Sequence, residues 1–377
     1  MAHKLLLALT LTLLAACSTA PRTAKGLDRC IWIDRWDWTS AQQIESAIED
    51  CHQAGFTSVI FQVRGNGTVF YPSRHEVWAE KFGHKDPGFD PLAVAVEAAH
   101  RRGMELHAWL NMAPGWVGDK PATDQGQLWN SRQAWFLRTR DGSTQKPEKG
   151  KYLALNLCLP EVRSHLVTLC TEVVSGYAVD GLHIDYIRFP DPENGDQDAL
   201  GVDMQTLSMF SLATGKPSTD EEALRKWQAD CVTTLVRDVS AAVRAVPGKK
   251  VVLSAAVFAD PAVALRKVRQ DWGVWAKKGY VDFVLPMNYT PDDSIFARRA
   301  REEVRLGGSR KVVIGVGAYM HRDPQQTLSQ MRSALAAGAR GVGFFNYRTL
   351  FGKVEGVTPE HQAQLRDAIS SWFRNEK

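Results

Sequence analysis

The sequence predicts an α/β fold, a single (β/α)₈ TIM barrel with long loops after its third and fourth strands. Eight short runs rich in β-branched and aromatic residues alternate with longer amphipathic stretches, the order of a parallel sheet joined by crossover helices. Several runs are continuous in Val, Ile, Leu and Phe, as in strands buried on both faces. No glycine-rich phosphate turn follows the first run, where Asp34, Arg35, Trp36 and Asp37 stand instead. That disfavours an open dinucleotide-binding sheet.

The predicted strands are residues 30–36, 57–64, 105–111, 181–188, 251–258, 281–289, 311–319 and 341–347. Amphipathic stretches at 40–54, 91–102, 160–177, 221–246 and 324–337 supply crossover helices. Thr39-Ser40, Asp90-Pro91 and Thr358-Pro359 read as helix starts. Ala54-Gly55, Arg102-Gly103, Lys278-Gly279 and Ala337-Gly338 read as helix ends, where a left-handed residue suits the cap. The longest irregular stretches, 113–151 and 190–220, follow the third and fourth strands and therefore fall on the C-terminal face.

The N-terminus reads as a targeting segment. Lys4 supplies a positive region, residues 5–14 an apolar run, and Leu14-Ala15-Ala16-Cys17 a lipobox-like ending. A largely apolar run of about ten residues is too short to span a bilayer, whereas acylation of Cys17 would anchor the mature chain. The expected division is a lipoprotein signal at 1–16, a lipidated tether at 17–27 and a barrel at 28–377. Ser18 after the cysteine resembles lipoproteins sorted to the outer membrane, which implies a periplasmic, membrane-tethered protein. The alternative is an ordinary secretory signal with an incidental cysteine.

A formal charge of +4 over 377 residues, with no long basic block, excludes a nucleic-acid footprint. The five remaining cysteines, Cys30, Cys51, Cys158, Cys170 and Cys231, cannot all pair. None forms C-x-x-C or sits near histidines at zinc spacing, so buried thiols are expected and neither metal nor cofactor is.

Polar side chains gather at the ends of the predicted strands: Asp34, Gln62, Arg64, His107, Asn111, His183, Asp185, Tyr186, Arg188, Asn288, Tyr289, Asn346 and Tyr347. Polar groups buried in strands are costly unless paired, so their convergence marks the functional end of the barrel. Each member read alone is equally consistent with a satisfied polar cap on the core. Asp185 stands apart because the run Asp180-Gly181-Leu182-His183-Ile184-Asp185-Tyr186-Ile187-Arg188 turns His183 and Asp185 inward on one strand face. Such a carboxylate suits a nucleophile, a base or the counter-charge of a cationic sugar intermediate.

Several ordered stretches carry a resemblance: Phe61-Gln62-Val63-Arg64-Gly65-Asn66-Gly67, residues 71–78, Asp86-Pro87-Gly88-Phe89-Asp90-Pro91-Leu92 and Leu106-His107-Ala108-Trp109-Leu110-Asn111. Leu155-Asn156 and residues 179–190, 281–289 and 341–347 extend it over most of the mature chain. Together they resemble the glycosyl hydrolase-like 10 family of bacterial envelope proteins. That family includes a divisome-associated glycosidase acting on peptidoglycan strands stripped of stem peptides. The resemblance implies a TIM-barrel glycosidase with Asp185 at the chemistry and Arg64, Asn111, Arg188 and Tyr289 along the subsites. Tyr289 and Asp34 join Asp185 as expected catalytic residues, and Asn66, Trp109, His183, Tyr186, Asn288 and Asn346 complete the expected substrate-binding set. Implied partners are peptidoglycan glycan strands, the membrane through the lipid anchor, and the cell-division machinery.

Two departures bear on mechanism. Asp34 stands where a small polar residue is expected, so it is either a second carboxylate or a local variation. The chitinase-type family 18 pattern D-G-x-D-x-D-x-E is matched at Asp180-Gly181 and at Asp185, but Ile187 occupies the acid's place. Pro286-Met287-Asn288-Tyr289 looks like the family 18 strand whose tyrosine holds an N-acetyl group. An acid would then come from Asp191, Glu193, Asp260 or Asp34, unless the acetamido group of the substrate serves as nucleophile. Of twelve tryptophans, Trp36, Trp38, Trp109, Trp116 and Trp129 are placed for stacking on sugars, whereas Trp227, Trp272, Trp275 and Trp372 lie in helical segments and read as packing. Two other readings stay open: a glycan-binding barrel without an acid, and a metal-dependent deacetylase or amidase using His107, His183 and Asp185.

Overall fold

The computed structural model describes residues 28–191, 199–354 and 357–375. The expected signal and tether, with Cys17, lie outside the described residues, as does Glu193.

The strands are β1 (Asp28–Ile33), β2 (Ser58–Arg64), β3 (Glu105–Asn111), β4 (Pro114–Gly118), β5 (Glu148–Ala154), β6 (Gly181–Asp185), β7 (Val252–Phe258), β8 (Phe283–Asn288), β9 (Val313–Val316) and β10 (Gly341–Phe344). Eight of them close into a parallel barrel in the order β1-β10-β9-β8-β7-β6-β3-β2, while β4 and β5 form a separate antiparallel hairpin. Each predicted run overlaps one barrel strand, β1 beginning two residues ahead of its run, and the TIM barrel is the observed fold.

The helices are α1 (Ala41–Gln53), α2 (Pro91–Arg101), α3 (Leu128–Ser131), α4 (Pro160–Gly176), α5 (Met204–Thr214) and α6 (Glu221–Arg244). They continue with α7 (Pro261–Val268), α8 (Trp272–Lys278), α9 (Asp293–Gly307), α10 (Pro324–Ala336), α11 (Tyr347–Phe351) and α12 (Pro359–Asn375). Ser40 caps α1 by accepting from the Gln43 N–H, and Asp90 caps α2 by accepting from Leu92 and Ala93. Gly55, Gly103, Gly279 and Gly338 all adopt the left-handed backbone expected after helix ends.

Alternation divides each strand between two cores. Cys30, Trp32, Ile60, Trp109, Phe283, Leu285 and Val313 fill the barrel interior, while Ile31, Ile33, Val59 and Phe61 face the helical shell. Cys30, Cys51, Cys158, Cys170 and Cys231 are free and buried.

The strands stop short of the predicted runs at the C-terminal rim. β1 ends at Ile33, β6 at Asp185, β8 at Asn288, β9 at Val316 and β10 at Phe344. Asp34, Tyr186, Tyr289, Tyr319 and Asn346 therefore belong to the loops that build the mouth.

Candidate active site

Asp185 is the last residue of β6, opposite Asn111 of β3, and is 6% exposed. Tyr186 turns the chain with φ +47, a left-handed conformation uncommon for an aromatic residue and of the kind that clusters at functional sites. The turn aims the Tyr186 N–H at Asp185 Oδ1, 2.6 Å away. Arg188 then reaches back, with Nη1 3.5 Å from Asp185 Oδ1 and Nη2 3.3 Å from Asp191 Oδ2. One guanidinium thus bridges two carboxylates, whose bridged oxygens lie at most about 9 Å apart, a separation compatible with the spacings used in glycoside hydrolysis. Burial pushes the Asp185 carboxyl above the usual range, although Arg188, the Tyr186 N–H and the Trp109 indole pull it down.

The narrow, open cleft beside this group has a cavity volume of about 10 Å³, room for about one water, and is lined by Ala113, Pro114, Tyr152, Tyr186, Arg188 and Asp191, among others. Arg188 lies over the Tyr186 ring at 4.0 Å, and Tyr152 meets Tyr186 edge-on at 5.2 Å. Tyr289 packs against Tyr319 (6.0 Å) and Phe345 (5.7 Å). Burial and the negative Asp185 push its hydroxyl well up, so it stays a protonated donor. Tyr319, at the outer edge of this cluster, is 45% exposed.

A second acidic group ties the first strand to the last. Asp34 Oδ1 accepts from the Trp36 N–H (2.7 Å) and from Arg348 (3.3 Å), and Oδ2 accepts from Asn346 Nδ2 (2.9 Å). Asp37 accepts from the Asp34 N–H and from Arg348 Nε, and burial beside Asp34 pushes its carboxyl up to about 6. Both oxygens of Asp34 are engaged, so its immediate work is to organise the rim. Lys81 donates to the Arg35 and Trp38 carbonyls above the Trp38 ring, and burial with the nearby Arg35 lowers its ammonium to about 7.

Several expected subsite residues are enclosed. Arg64 is 0% exposed and pairs with Glu76 through Nε (2.8 Å) and Nη2 (2.7 Å), while Nη1 donates to the Asn111, Met112 and Pro114 carbonyls. It shapes the segment after β3 and leaves no donor for a sugar, which corrects its assignment as a subsite residue. Asn66 donates to Glu80, and Asn288 donates to the Phe296 carbonyl from a fully buried position, so both are structural. His183 lies inside the barrel: its Nε2 accepts from the Trp32 indole and its Nδ1 donates to Ser254. Burial lowers it to about 3, leaving a neutral core residue. Trp109 is buried beneath Asp185 with its indole donating to Asn111 Oδ1, so these two support the carboxylate from below.

Among the five stacking tryptophans only Trp36 reaches solvent, at 58%, while Trp38, Trp109, Trp116 and Trp129 are buried. Asp260 caps α7 by accepting from Ala262 and Val263, which removes it as the acid. Among the described residues no three His, Cys, Asp or Glu side chains converge as metal ligands, and His107, His183 and Asp185 do not form such a group. Tyr152, Tyr319, Phe345 and Arg348 were beyond sequence reasoning, because the β4–β5 hairpin, the short helix α11 and the bends after β9 and β10 that carry them take paths set by packing.

Known proteins resemble the chain in sequence and in fold. Over 279 residues the chain is 26% identical to glycosyl hydrolase DigH of Escherichia coli K12, covering 68% of this chain and 60% of that protein. Against glycosyl hydrolase YngK of Bacillus subtilis it is 27% identical over 234 residues, covering 58% of this chain and 42% of that protein. The chain therefore spans about three fifths or less of the length of these relatives. Among solved structures, the glycoside hydrolase domain of PgaB from Bordetella bronchiseptica superposes with a TM-score of 0.62 at 15% identity, covering 91% of this chain and 99% of that one. That likeness concerns the fold. The sequence profile described as glycosyl hydrolase-like 10 matches residues 28–318, a span that carries β1 to β9, Asp185, Arg188 and Tyr289. On that match the chain belongs to the glycosyl hydrolase-like 10 family.

Proposed function

We propose that the protein is a glycosidase that cuts peptidoglycan glycan strands lacking stem peptides, tethered to the outer membrane from the periplasmic side through an acylated Cys17. The observation that carries the reading is Asp185: a nearly buried carboxylate at the end of the fourth barrel strand, held by Arg188 and a strained neighbour, beside an aromatic-walled cleft. In the mouth of such a barrel an ionised Asp185 faces the positive charge that develops on the sugar or on its acetamido group. Tyr289, kept protonated, donates to the substrate. Asp191, sharing Arg188 with Asp185, is the second carboxyl and serves the departing oxygen.

The test is release of new reducing ends from purified stem-free glycan strands by the mature chain. Asp185→Asn should abolish release with an unchanged circular dichroism spectrum and Tm. Asp191→Asn should slow it by about 10²–10⁴-fold, the usual worth of a general acid, with recovery on substrates whose leaving groups need no proton. Metabolic labelling with a fatty acid, lost in Cys17→Ala, tests the anchor.

A second reading, a glycan-binding barrel without hydrolysis, is favoured by the engagement of Asp34 and by Asp260 serving as a helix cap. It predicts retained glycan binding with no reducing ends from the unaltered chain.

A further inference from the structure

Arg35 carries a charge that nothing in the described protein answers. It is 4% exposed and sits two residues beyond β1, at the C-terminal end of that strand. Its guanidinium donates one hydrogen bond, from Nη2 to the Tyr152 hydroxyl at 3.0 Å, and lies over the Trp36 ring at 4.8 Å. Among the described residues no carboxylate stands within ion-pair distance of it. The neighbouring acids are taken, Asp34 and Asp37 both by Arg348. The nearest cation deepens the imbalance, because Lys81 spends its ammonium on the Arg35 and Trp38 carbonyls.

The position is made for this side chain. A Cβ on Gly65 would come within 2.9 Å of the guanidinium, so the glycine there leaves it room. Tyr152, which Arg35 holds, packs against Tyr186, whose N–H holds Asp185. Arg35 is thus linked to Asp185 through Tyr152 and Tyr186. A nearly buried guanidinium without a counter-ion is costly, and its planar fork fits a carboxylate by two parallel hydrogen bonds.

We propose that Arg35 determines specificity by binding a carboxylate substituent on the glycan, with the exposed Trp36 ring as the platform for the sugar that carries it. The identity of the polymer rests on the glycan reading above, whereas the charge preference rests on Arg35 alone. Arg35 touches a substituent away from the broken bond, so its effect falls on affinity rather than on the chemical step.

The test is equilibrium binding, by calorimetry, of two probes to the full mature chain: stem-free glycan strands with free lactyl carboxylates, and the same strands with those carboxyls reduced to alcohols. The unaltered protein should bind the carboxylate form at least about tenfold more tightly, the usual worth of a charged hydrogen bond. Arg35→Met should bring the two probes to within about twofold of each other while leaving the reduced form bound as before. Arg35→Lys, which keeps the charge without the fork, should fall between them. Should Arg35→Met not fold, Arg35→Gln, which retains a donor toward Tyr152, is held to the same comparison. Equal binding of both probes by the unaltered chain, binding of neither, or an equal loss for both in the variants overturns the assignment. Selective binding without release of reducing ends would leave Arg35 in place and remove the hydrolytic reading.

Discussion

At the scale of single residues, the proposed chemistry turns on how Arg188 divides itself between Asp185 and Asp191. Burial already holds the Asp185 carboxyl above its ordinary range, and Arg188 is the largest influence opposing that. If Asp185 acts ionised, activity rises with pH through that elevated value. Arg188→Met should then move the acid limb of the pH profile further toward alkaline pH and lower kcat, and an unmoved limb in kcat/KM profiles would falsify the ionised role. Arg64 makes the opposite kind of statement. It was legible as a polar residue at a strand end, but its pairing with Glu76 was not, since a charged side chain in a strand looks the same whether it meets substrate or a neighbour. Arg64→Met strands a buried carboxylate and should cost about 3–5 kcal/mol, read as a large fall in Tm. Asp185 itself was readable because inward alternation on a short strand leaves little freedom in where it points.

Among the elements, the barrel strands were legible because burial on both faces writes them as continuous apolar runs. The helices were less so. α9 carries so many charges that its apolar stripe is reduced to residues such as Phe296, Ala300 and Val304, and the sequence reading has no helix there. The hairpin β4–β5 was hidden inside a long polar stretch because its pairing, Pro114 with Ala154 and Gly118 with Glu148, joins segments about thirty to forty residues apart. What fixes the hairpin against the barrel is Gln127. Its Nε2 donates to the Asn66, Gly67 and Gly115 carbonyls and its Oε1 accepts from the Trp129 N–H. A Cβ on Gly67 would meet the Gly115 oxygen at 2.3 Å, and φ there is +71, so this crossing accepts only glycine. Gln127→Ala leaves those buried carbonyls unmet at a cost of about 1–3 kcal/mol. Limited proteolysis should then cut within residues 113–151 well before the barrel yields, and equal protection of that stretch in variant and parent would rule the staple out.

For the whole molecule, two buried glutamates set opposite slopes of stability with pH. Although burial raises it, Glu76 is held below the ordinary range by Arg64 and His165, so its contribution is present above the unfolded value and is lost as pH falls through the folded one. Glu303 is fully buried with neither oxygen hydrogen-bonded, and burial raises it well above the ordinary range. The folded chain keeps a proton there that the unfolded chain releases, so stability declines as pH climbs past the unfolded value. Glu303→Gln should remove that decline and gain on the order of 1–3 kcal/mol at neutral pH, visible as a Tm that no longer drifts downward between mildly acidic and neutral buffers. The ring of strands closes where β1 meets β10, and Asp34 is fastened to Asn346 across 312 positions of sequence. The matched family span stops at residue 318, before β10 begins, so that span by itself leaves a gap in the cylinder. A chain still emerging from the ribosome lacks its last stave, and its mouth has no finished edge until β10 has joined β1 and β9. Any work done at that mouth therefore waits on the closing strand, however early Asp185 itself has been made.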